Sequence, residues 1–229
     1  MTNEHLPESV GIILDGNRRW AAERGLPPFE GHREGAERVK DLVRWAREIS
    51  IGTVYIYAFS TENWNRAEEE VSYLMKLMAK FFSEGIVDEI EKEKGRIVFL
   101  GDRTRIPPAL VKEMEQAEER TVHGTGTTLA VCLSYGGRAE IIAAANKLIR
   151  EGKEIQTEEE FSAALWSANL PDPDLIIRTS GEQRLSGFLT WQSVYSELFF
   201  TDTKWPAFSK EEFLSIIEEY GNRERRRGK

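Results

Sequence analysis

A single cysteine, Cys132, stands in the 229 residues, so an intrachain disulfide and any multi-cysteine zinc site are excluded. No apolar run approaches the roughly 20 residues that cross a bilayer as a helix. Met1-Thr2-Asn3-Glu4-His5 carries neither the basic nor the apolar region of a signal peptide, and a cytoplasmic location is the expectation. The sequence has no internal repeat, low-complexity tract or long linker. It contains no G-x-x-x-x-G-K-[ST] and no G-x-G-x-x-G, which removes support for nucleotide binding. It has no G-x-S-x-G elbow for a nucleophilic serine either. Positive charge is in deficit as well: the formal net charge is −8, and such a surface repels nucleic acid.

What is present is an ordinary globular composition, 40% hydrophobic and 31% charged, long enough for one domain around one core. Within the acidic background arginines gather at Arg18–Arg19, at Arg178 with Arg184, and in the 223–227 tail. A polyanionic ligand would have to be held by such local clusters. The tail alone suggests nucleic acid, and a solvated helix end is the plainer account of it. Short apolar runs predict strands at 10–14, 53–59, 96–101, 127–135, 174–180 and 197–201, several apolar throughout as in strands covered on both faces. Between them lie amphipathic helices, one with Ala36, Val39, Val43 and Ala46 on a stripe, another with Val71, Leu74, Met75 and Met78. Pro107-Pro108 opens a helix carrying Leu110, Met114 and Ala117. Thr157 with Glu160, and Ser209 with Glu212, have capping-box spacing, the latter before a helix that buries Phe213, Ile216, Ile217 and Tyr220. The alternation predicts a single α/β domain over residues 1–229 with a central, mainly parallel, six-stranded sheet flanked by helices.

Ligands of such sheets bind beyond the carboxyl ends of the strands, which singles out three loops. The first is Asp15-Gly16-Asn17-Arg18-Arg19-Trp20. Gly16 permits close backbone approach, the following amides can face an anion, and the arginines add charge-assisted donors. Asp15 would repel a phosphate unless a hard cation such as Mg²⁺ bridges the two. A strand-ending Asp-Gly turn with solvated arginines is the competing account, and the hexapeptide alone does not choose. The second loop, Ser60-Thr61-Glu62-Asn63-Trp64-Asn65-Arg66, is either a helix cap with a packed indole or part of a site. The cap suits Ser60 and Thr61 better than Asn63 and Arg66. The third, Arg178-Thr179-Ser180-Gly181-Glu182-Gln183-Arg184-Leu185-Ser186, has the composition of a second anion cradle. Glu197 opens the last apolar run, and its residues alone favour a cap over a metal partner for Asp15. Cys132 reads as a packing residue; His5 and His123 carry no motif.

These segments resemble the cis-prenyltransferases, the family of undecaprenyl diphosphate synthase, over essentially the whole chain. The resemblance is carried by Gly11-Ile-Ile-Leu-Asp-Gly-Asn-Arg-Arg-Trp-Ala21, Gly31-His-Arg-Glu-Gly-Ala36, Tyr57-Ala-Phe-Ser-Thr-Glu-Asn-Trp-Asn-Arg66, Gly101-Asp102-Arg103, Ser134-Tyr-Gly-Gly-Arg138, the 172–186 segment and Tyr195-Ser-Glu-Leu-Phe-Phe-Thr-Asp202. It implies an Mg²⁺-dependent condensation of isopentenyl diphosphate with an allylic diphosphate. Asp15 is then the essential metal-binding carboxylate. Gly16, Asn17, Arg19 and His32 match positions that hold the allylic diphosphate, Arg18 flanks it, and Trp20 is counted among the substrate-binding residues. Asn63 assists proton removal, and as a neutral carboxamide, a poor base, it would position a water or the leaving group. Arg66, Arg178, Arg184 and Ser186 match the isopentenyl diphosphate site, and Ser60, Thr61, Glu62, Trp64 and Leu185 complete the substrate site, with Trp64 as a wall of the cleft. Glu197 becomes the second metal contact, a role that can be exerted across a dimer interface.

The resemblance further implies a homodimer in which tail residues Arg226 and Gly228 take part, no nucleic-acid partner, no transmembrane segment, and transient membrane-surface contact for product release. Two departures concern the phosphate sites. Arg18 replaces a small residue and Pro28 an arginine, as though the charge had moved. Leu-Ser-Gly-Phe-Leu-Thr-Trp stands where Leu-Ser-Asn-Phe-Leu-Leu-Trp is commoner. A non-catalytic partner subunit is the main rival, and retention of Asp15, Asn63, Arg66 and Glu197 argues against it. The product is expected to be a polyprenyl diphosphate for a lipid carrier, with a short-chain product as the alternative. A helix over 68–92 is expected to line the product tunnel. Phe81 and Phe82 lie about 100° apart on it, so only one should face the tunnel.

Overall fold

The computed structural model describes residues 6–223. The strands are β1 (Ser9–Ile13), β2 (Thr53–Ser60), β3 (Arg96–Leu100), β4 (Thr128–Tyr135), β5 (Leu175–Arg178) and β6 (Glu197–Phe200). They form one sheet in the order β3-β4-β2-β1-β5-β6, with every pairing parallel. All six apolar runs read from the sequence are strands, which the run-like composition already implied: β1 is buried at every position. Alternate residues serve opposite faces. Val10 and Ile12 join the cluster that holds the helices around residues 28–121 and 210–222, whereas Ile13, Tyr55, Tyr57 and Cys132 join a second cluster behind the sheet.

The helices are α1 (Asn17–Ala22), α2 (Pro28–Glu48), α3 (Glu68–Ser83), α4 (Ile86–Lys92), α5 (Pro108–Thr121), α6 (Gly137–Arg150), α7 (Glu158–Ser162) and α8 (Lys210–Asn222). Pro28 and Pro108 occupy the first turns of α2 and α5, where a missing N–H costs nothing. The expected 68–92 helix is two helices. Gly85, at φ 86°, takes a left-handed conformation that breaks the ladder between α3 and α4. The two capping boxes form by half. Thr157 and Ser209 accept from the amides of Glu160 and Glu212, but the Glu160 carboxylate takes the Gln156 amide and that of Glu212 the Thr201 hydroxyl. In α8, Phe213, Ile217 and Tyr220 are buried and Ile216 is half-buried against the same core.

Two features of this packing bear on the site. A Cβ on Gly31 would lie 2.0 Å from the Asn17 carbonyl oxygen, and one on Gly35 2.2 Å from Asn17 Oδ1. Only glycine at both positions lets α2 close on α1 and fix the loop after β1. The side on which strands are added then switches at β1: β2, β3 and β4 lie on one side of it, and β5 and β6 on the other. That makes the crevice between β1 and β5 the switch point at which ligands of open α/β sheets bind. The 224–229 part of the arginine tail, including Arg226 and Gly228, and the 1–5 segment with His5 lie outside the described residues.

Candidate active site

Register brings the first and third loops together. Ile13 of β1 lies opposite Arg178 of β5, so Asp15, two residues on, meets the arginine across the crevice. Arg178 Nη2 donates to Asp15 Oδ2 at 2.9 Å, and its Nη1 to Ser186 Oγ at 2.9 Å and to the Arg184 carbonyl oxygen. The guanidinium is 5% exposed and therefore held in one orientation. The Asp15 backbone is pinned too: its carbonyl accepts from Thr179 Oγ1 at 2.7 Å and from the Trp205 amide at 3.0 Å. Gly16 follows at φ 100°, and a Cβ there would fall 2.5 Å from Ser180 Oγ, so the turn demands glycine.

From this corner a cavity of about 440 Å³ descends between the sheet and helices α2 and α3. Its mouth is polar. Asp15, Asn17, His32, Ser60, Glu62, Asn63, Arg66, Arg178 and Ser186 line it, and Leu74, Leu77, Met78, Phe81, Phe82 and Val131 line the depth. One space thus joins a charged end to an apolar end, which suits an amphiphile with an anionic head. The arginines at the mouth already have carboxylate partners. Arg66 donates to Glu70 Oε1 at 2.9 Å, Arg18 lies 3.4 Å from Glu70 Oε2, and Arg19 lies 3.3 Å from both Asp15 Oδ1 and Glu182 Oε1. Arg184 pairs with the other oxygen of Glu182. Glu70 and Glu182 thus stand where an incoming anion would compete for the same guanidiniums. Glu70 was missed by the sequence reading, and its signal was the i, i+4 spacing from Arg66.

His32 Nε2 is buried without a hydrogen bond and lies 3.7 Å from Glu70. Burial, reinforced by Arg66, lowers its pKa to about 4, so it is neutral near pH 7. Asn63 Oδ1 accepts from the Ser60 amide at 3.0 Å. With that oxygen engaged, the side chain offers its N–H groups rather than a base. Tyr57 Oη lies 3.2 Å from the Tyr135 carbonyl and 3.3 Å from that of Ser186, tying the third loop to β4.

Other sequence-chosen residues are placed differently. Trp64 does not line the cavity: its ring packs edge-on against Phe59 at 4.9 Å, its Nε1 donates to Ser134 Oγ at 3.0 Å, and Arg105 covers it. An amphipathic indole beside an apolar sheet finds more burial there than in a wet mouth. Trp20 stacks under Arg24, Leu185 packs on the cluster behind the sheet, and Thr61 Oγ1 bonds Glu62 Oε1. Arg18, Arg19 and Arg184 stand around the mouth through their ion pairs rather than in its lining. Glu197 is not brought to Asp15 within one chain. It sits level with Leu175 and hence with Val10, five residues below Asp15, roughly 16 Å along the strands. There it accepts from Arg223 Nη1 at 2.8 Å. Both Phe81 and Phe82 line the cavity, contrary to the expectation of one. Phe82 reaches it from the sheet side, edge-on to Phe99, and Phe81 from the α2 side beneath Lys40.

The family model described as "Putative undecaprenyl diphosphate synthase" matches residues 13–228. The chain belongs to this family. An isoprenyl transferase of Listeria monocytogenes is 49% identical, with 97% of this chain and 90% of that protein aligned. That of Thermotoga maritima is 44% identical over 97% of both. Among solved structures, lavandulyl diphosphate synthase from Lavandula x intermedia, in complex with dimethylallyl diphosphate, superposes with a TM-score of 0.94 at 32% identity, covering 99% of this chain and 100% of that one. A "probable undecaprenyl diphosphate synthase" from Campylobacter jejuni gives 0.82, also at 32% identity, covering 97% of this chain and 99% of that one. This undecaprenyl diphosphate synthase family member is accordingly a prenyltransferase, and the cavity that joins arginines to an apolar depth is its candidate active site.

Proposed function

We propose that this prenyltransferase condenses isopentenyl diphosphate onto an allylic diphosphate, forms a Z double bond in each added unit, and requires Mg²⁺. The observation that carries the reading is the single cavity with Asp15 and Arg178 at its mouth and Phe82 in its depth. The bound dimethylallyl diphosphate of the lavender enzyme, on the same fold, supports the allylic class of substrate. Among the described residues no three acidic, histidine or cysteine side chains are grouped to hold a metal by themselves. That fits Mg²⁺, which is commonly held by one or two carboxylates plus substrate phosphates. Asp15 is the residue that would hold it here, with diphosphate oxygens and water completing the shell. Bound there, Mg²⁺ would neutralise charge developing on the departing diphosphate.

The remaining work falls to the chain itself. As the allylic C–O bond breaks and the isopentenyl double bond attacks that carbon, negative charge collects on the leaving diphosphate. Arg19 and the N–H groups of Asn63 are donors already in place for it, and preorganised donors act most strongly on charge that develops in the transition state. Asn63 does not take the proton lost from the isopentenyl unit; the diphosphate it orients has the basic oxygens for that. His32, held neutral, can donate its free ring N–H to an anion without adding a charge. Arg66, Arg178, Arg184 and Ser186 hold the second diphosphate, and two substrates fixed in one cleft react without the entropic cost of encounter. The metal requirement is tested with chelator-treated protein and both substrates. Diphosphate release is expected to be absent and to return with Mg²⁺; release at the full rate without metal would overturn the requirement.

Two further parts of this reading rest on other observations. Edge strand β6 exposes Leu198 and Phe200, beside Val194 and Tyr195 at 72% exposure each, an apolar patch on an unpaired edge. A second copy docking there would place Glu197 in the seam, where it could contribute a metal contact to its partner's site. Tyr195→Asp with Leu198→Asp should therefore convert a dimer to a monomer in sedimentation and depress turnover more than tenfold; a fully active monomer contradicts the interface. The product is read as a polyprenyl diphosphate serving as a lipid carrier, made in the cytoplasm and released at a membrane surface. A short-chain product is the alternative, and the two phenylalanines in the depth of the cavity are the observation that speaks for it. Phe82→Leu, which trims the floor without emptying it, should lengthen the products by whole five-carbon units in mass spectrometry. An unchanged distribution from a folded variant places the length limit elsewhere.

A further inference from the structure

The main cavity has a bounded depth, where Phe81 and Phe82 line it, and a long product would have to pass beyond them. Below the phenylalanine floor lies a second, smaller cavity of about 20 Å³, lined by Val43, Ile86, Ile90, Gly95 and Thr127 among others. Its position follows from helical spacing. On α2, Val39 lines the main cavity and Val43 the small one. Phe82 lines the main cavity, and Ile86, across the Gly85 break, the small one. Four residues of helix advance by about 6 Å. Gly95 and Thr127 precede β3 and β4, so the small cavity lies toward the amino ends of the strands, directly away from Asp15.

The outer side of the small cavity is a slot between α2 and α4, crossed by two ion pairs. Arg44 Nε lies 3.6 Å from Glu89 Oε1, and Arg47 pairs with Glu93. All four side chains are 38–45% exposed, so solvent screens both pairs and they hold the slot weakly. The joint between α3 and α4 is permissive as well: no atom lies within 4 Å of where a Cβ on Gly85 would be. A weakly strapped helix on a glycine joint, with apolar residues beneath it, is suited to yield to an advancing hydrocarbon.

We propose that the slot between α2 and α4 is the exit for a prenyl chain too long for the main cavity, which passes Phe82, fills the small cavity and emerges between the Arg44–Glu89 and Arg47–Glu93 pairs. This rests on the prenyl-chain reading of the main cavity. It assigns to Val43, Ile90 and the four charged residues a part in permitting length, separate from the chemistry at Asp15. It also accounts for an apolar cavity with a charged rim at the far end from the diphosphate sites.

The test is to obstruct the slot after folding. Cys132 is fully buried, so in Arg44→Cys a bulky maleimide reacts at the slot alone. Before labelling, with the Arg44–Glu89 strap removed, the variant should give products at least as long as the parent's. After labelling, products should shorten by whole five-carbon units while the rate of the first condensation stays within twofold. Asn146→Cys on α6, which packs in a different cluster, should give no shortening when labelled. Ile90→Trp, which fills the small cavity from within, should shorten products without any label. Unchanged lengths in labelled Arg44→Cys, or equal shortening in labelled Asn146→Cys, would overturn the exit and leave the condensation reading standing. A parent enzyme whose product length is unchanged by Ile90→Trp overturns it too, and one that makes no prenyl product overturns both.

Discussion

Asp15→Asn should lower kcat by about 10³-fold while the fold and the affinity for allylic diphosphate persist. A contact that is strongest in the transition state shows in kcat rather than KM, and loss of a metal ligand at a leaving group is of that kind, about 4 kcal/mol of barrier. The structure adds a sharper expectation. Asp15 now neutralises Arg178, a cation 6% exposed at its side chain, and shares Arg19. Removing the carboxylate charge leaves Arg178 with unmet demand for an anion and Arg19 with Glu182 as its remaining carboxylate. Diphosphate binding by Asp15→Asn, measured by calorimetry without metal, should therefore equal or exceed that of the parent. Turnover within tenfold of the parent in Mg²⁺ would show that Asp15 does not hold the metal.

Arg178→Ala should be nearly as damaging and differ in kind. It deletes a donor to diphosphate and also the bonds that fix Asp15, Ser186 and the Arg184 carbonyl. Catalytic efficiency is expected to fall by about two to three orders of magnitude, with weaker saturation by isopentenyl diphosphate. Breaking a largely buried ion pair from one side should also cost roughly 3 kcal/mol of stability, lessened because Asp15 keeps Arg19 and is 29% exposed. Arg178→Lys is not expected to rescue it, since an ammonium cannot span Asp15 and Ser186 with a planar fork. Parent-like kinetics in Arg178→Lys would mean that charge alone matters at this position.

The strands were legible in the sequence because a strand covered on both faces has to be apolar throughout, and β1, β4 and β5 read that way. Loop chemistry was legible for a related reason. Asp15, Asn63 and Arg178 have no packing role that their residue type would fill better than others, and all three line the cavity. What sequence could not convey was direction and competition between environments. Glu197 begins a parallel strand, which puts it at the end of the sheet away from Asp15, and only the strand order makes that plain. Trp64 lies inside a site motif, yet Phe59, Ser134 and Arg105 offer its ring a better place than the mouth. Phe81 and Phe82 diverge on their helix, but the cavity is wide enough to be reached from both flanks. Glu70 escaped notice because its i, i+4 spacing from Arg66 reads as an ordinary helix-surface pair, and nothing local shows that it also meets Arg18, fifty-two residues away.

Among all these expectations one measurement bears most directly on the account. The protein is supplied with isopentenyl diphosphate, Mg²⁺ and allylic diphosphates of two lengths, and the dephosphorylated products are analysed by mass spectrometry and NMR. The account predicts products that require both substrates, grow by five-carbon units from either primer, and carry a Z double bond in every added unit. E double bonds in the added units, or no condensation with any primer, would contradict it.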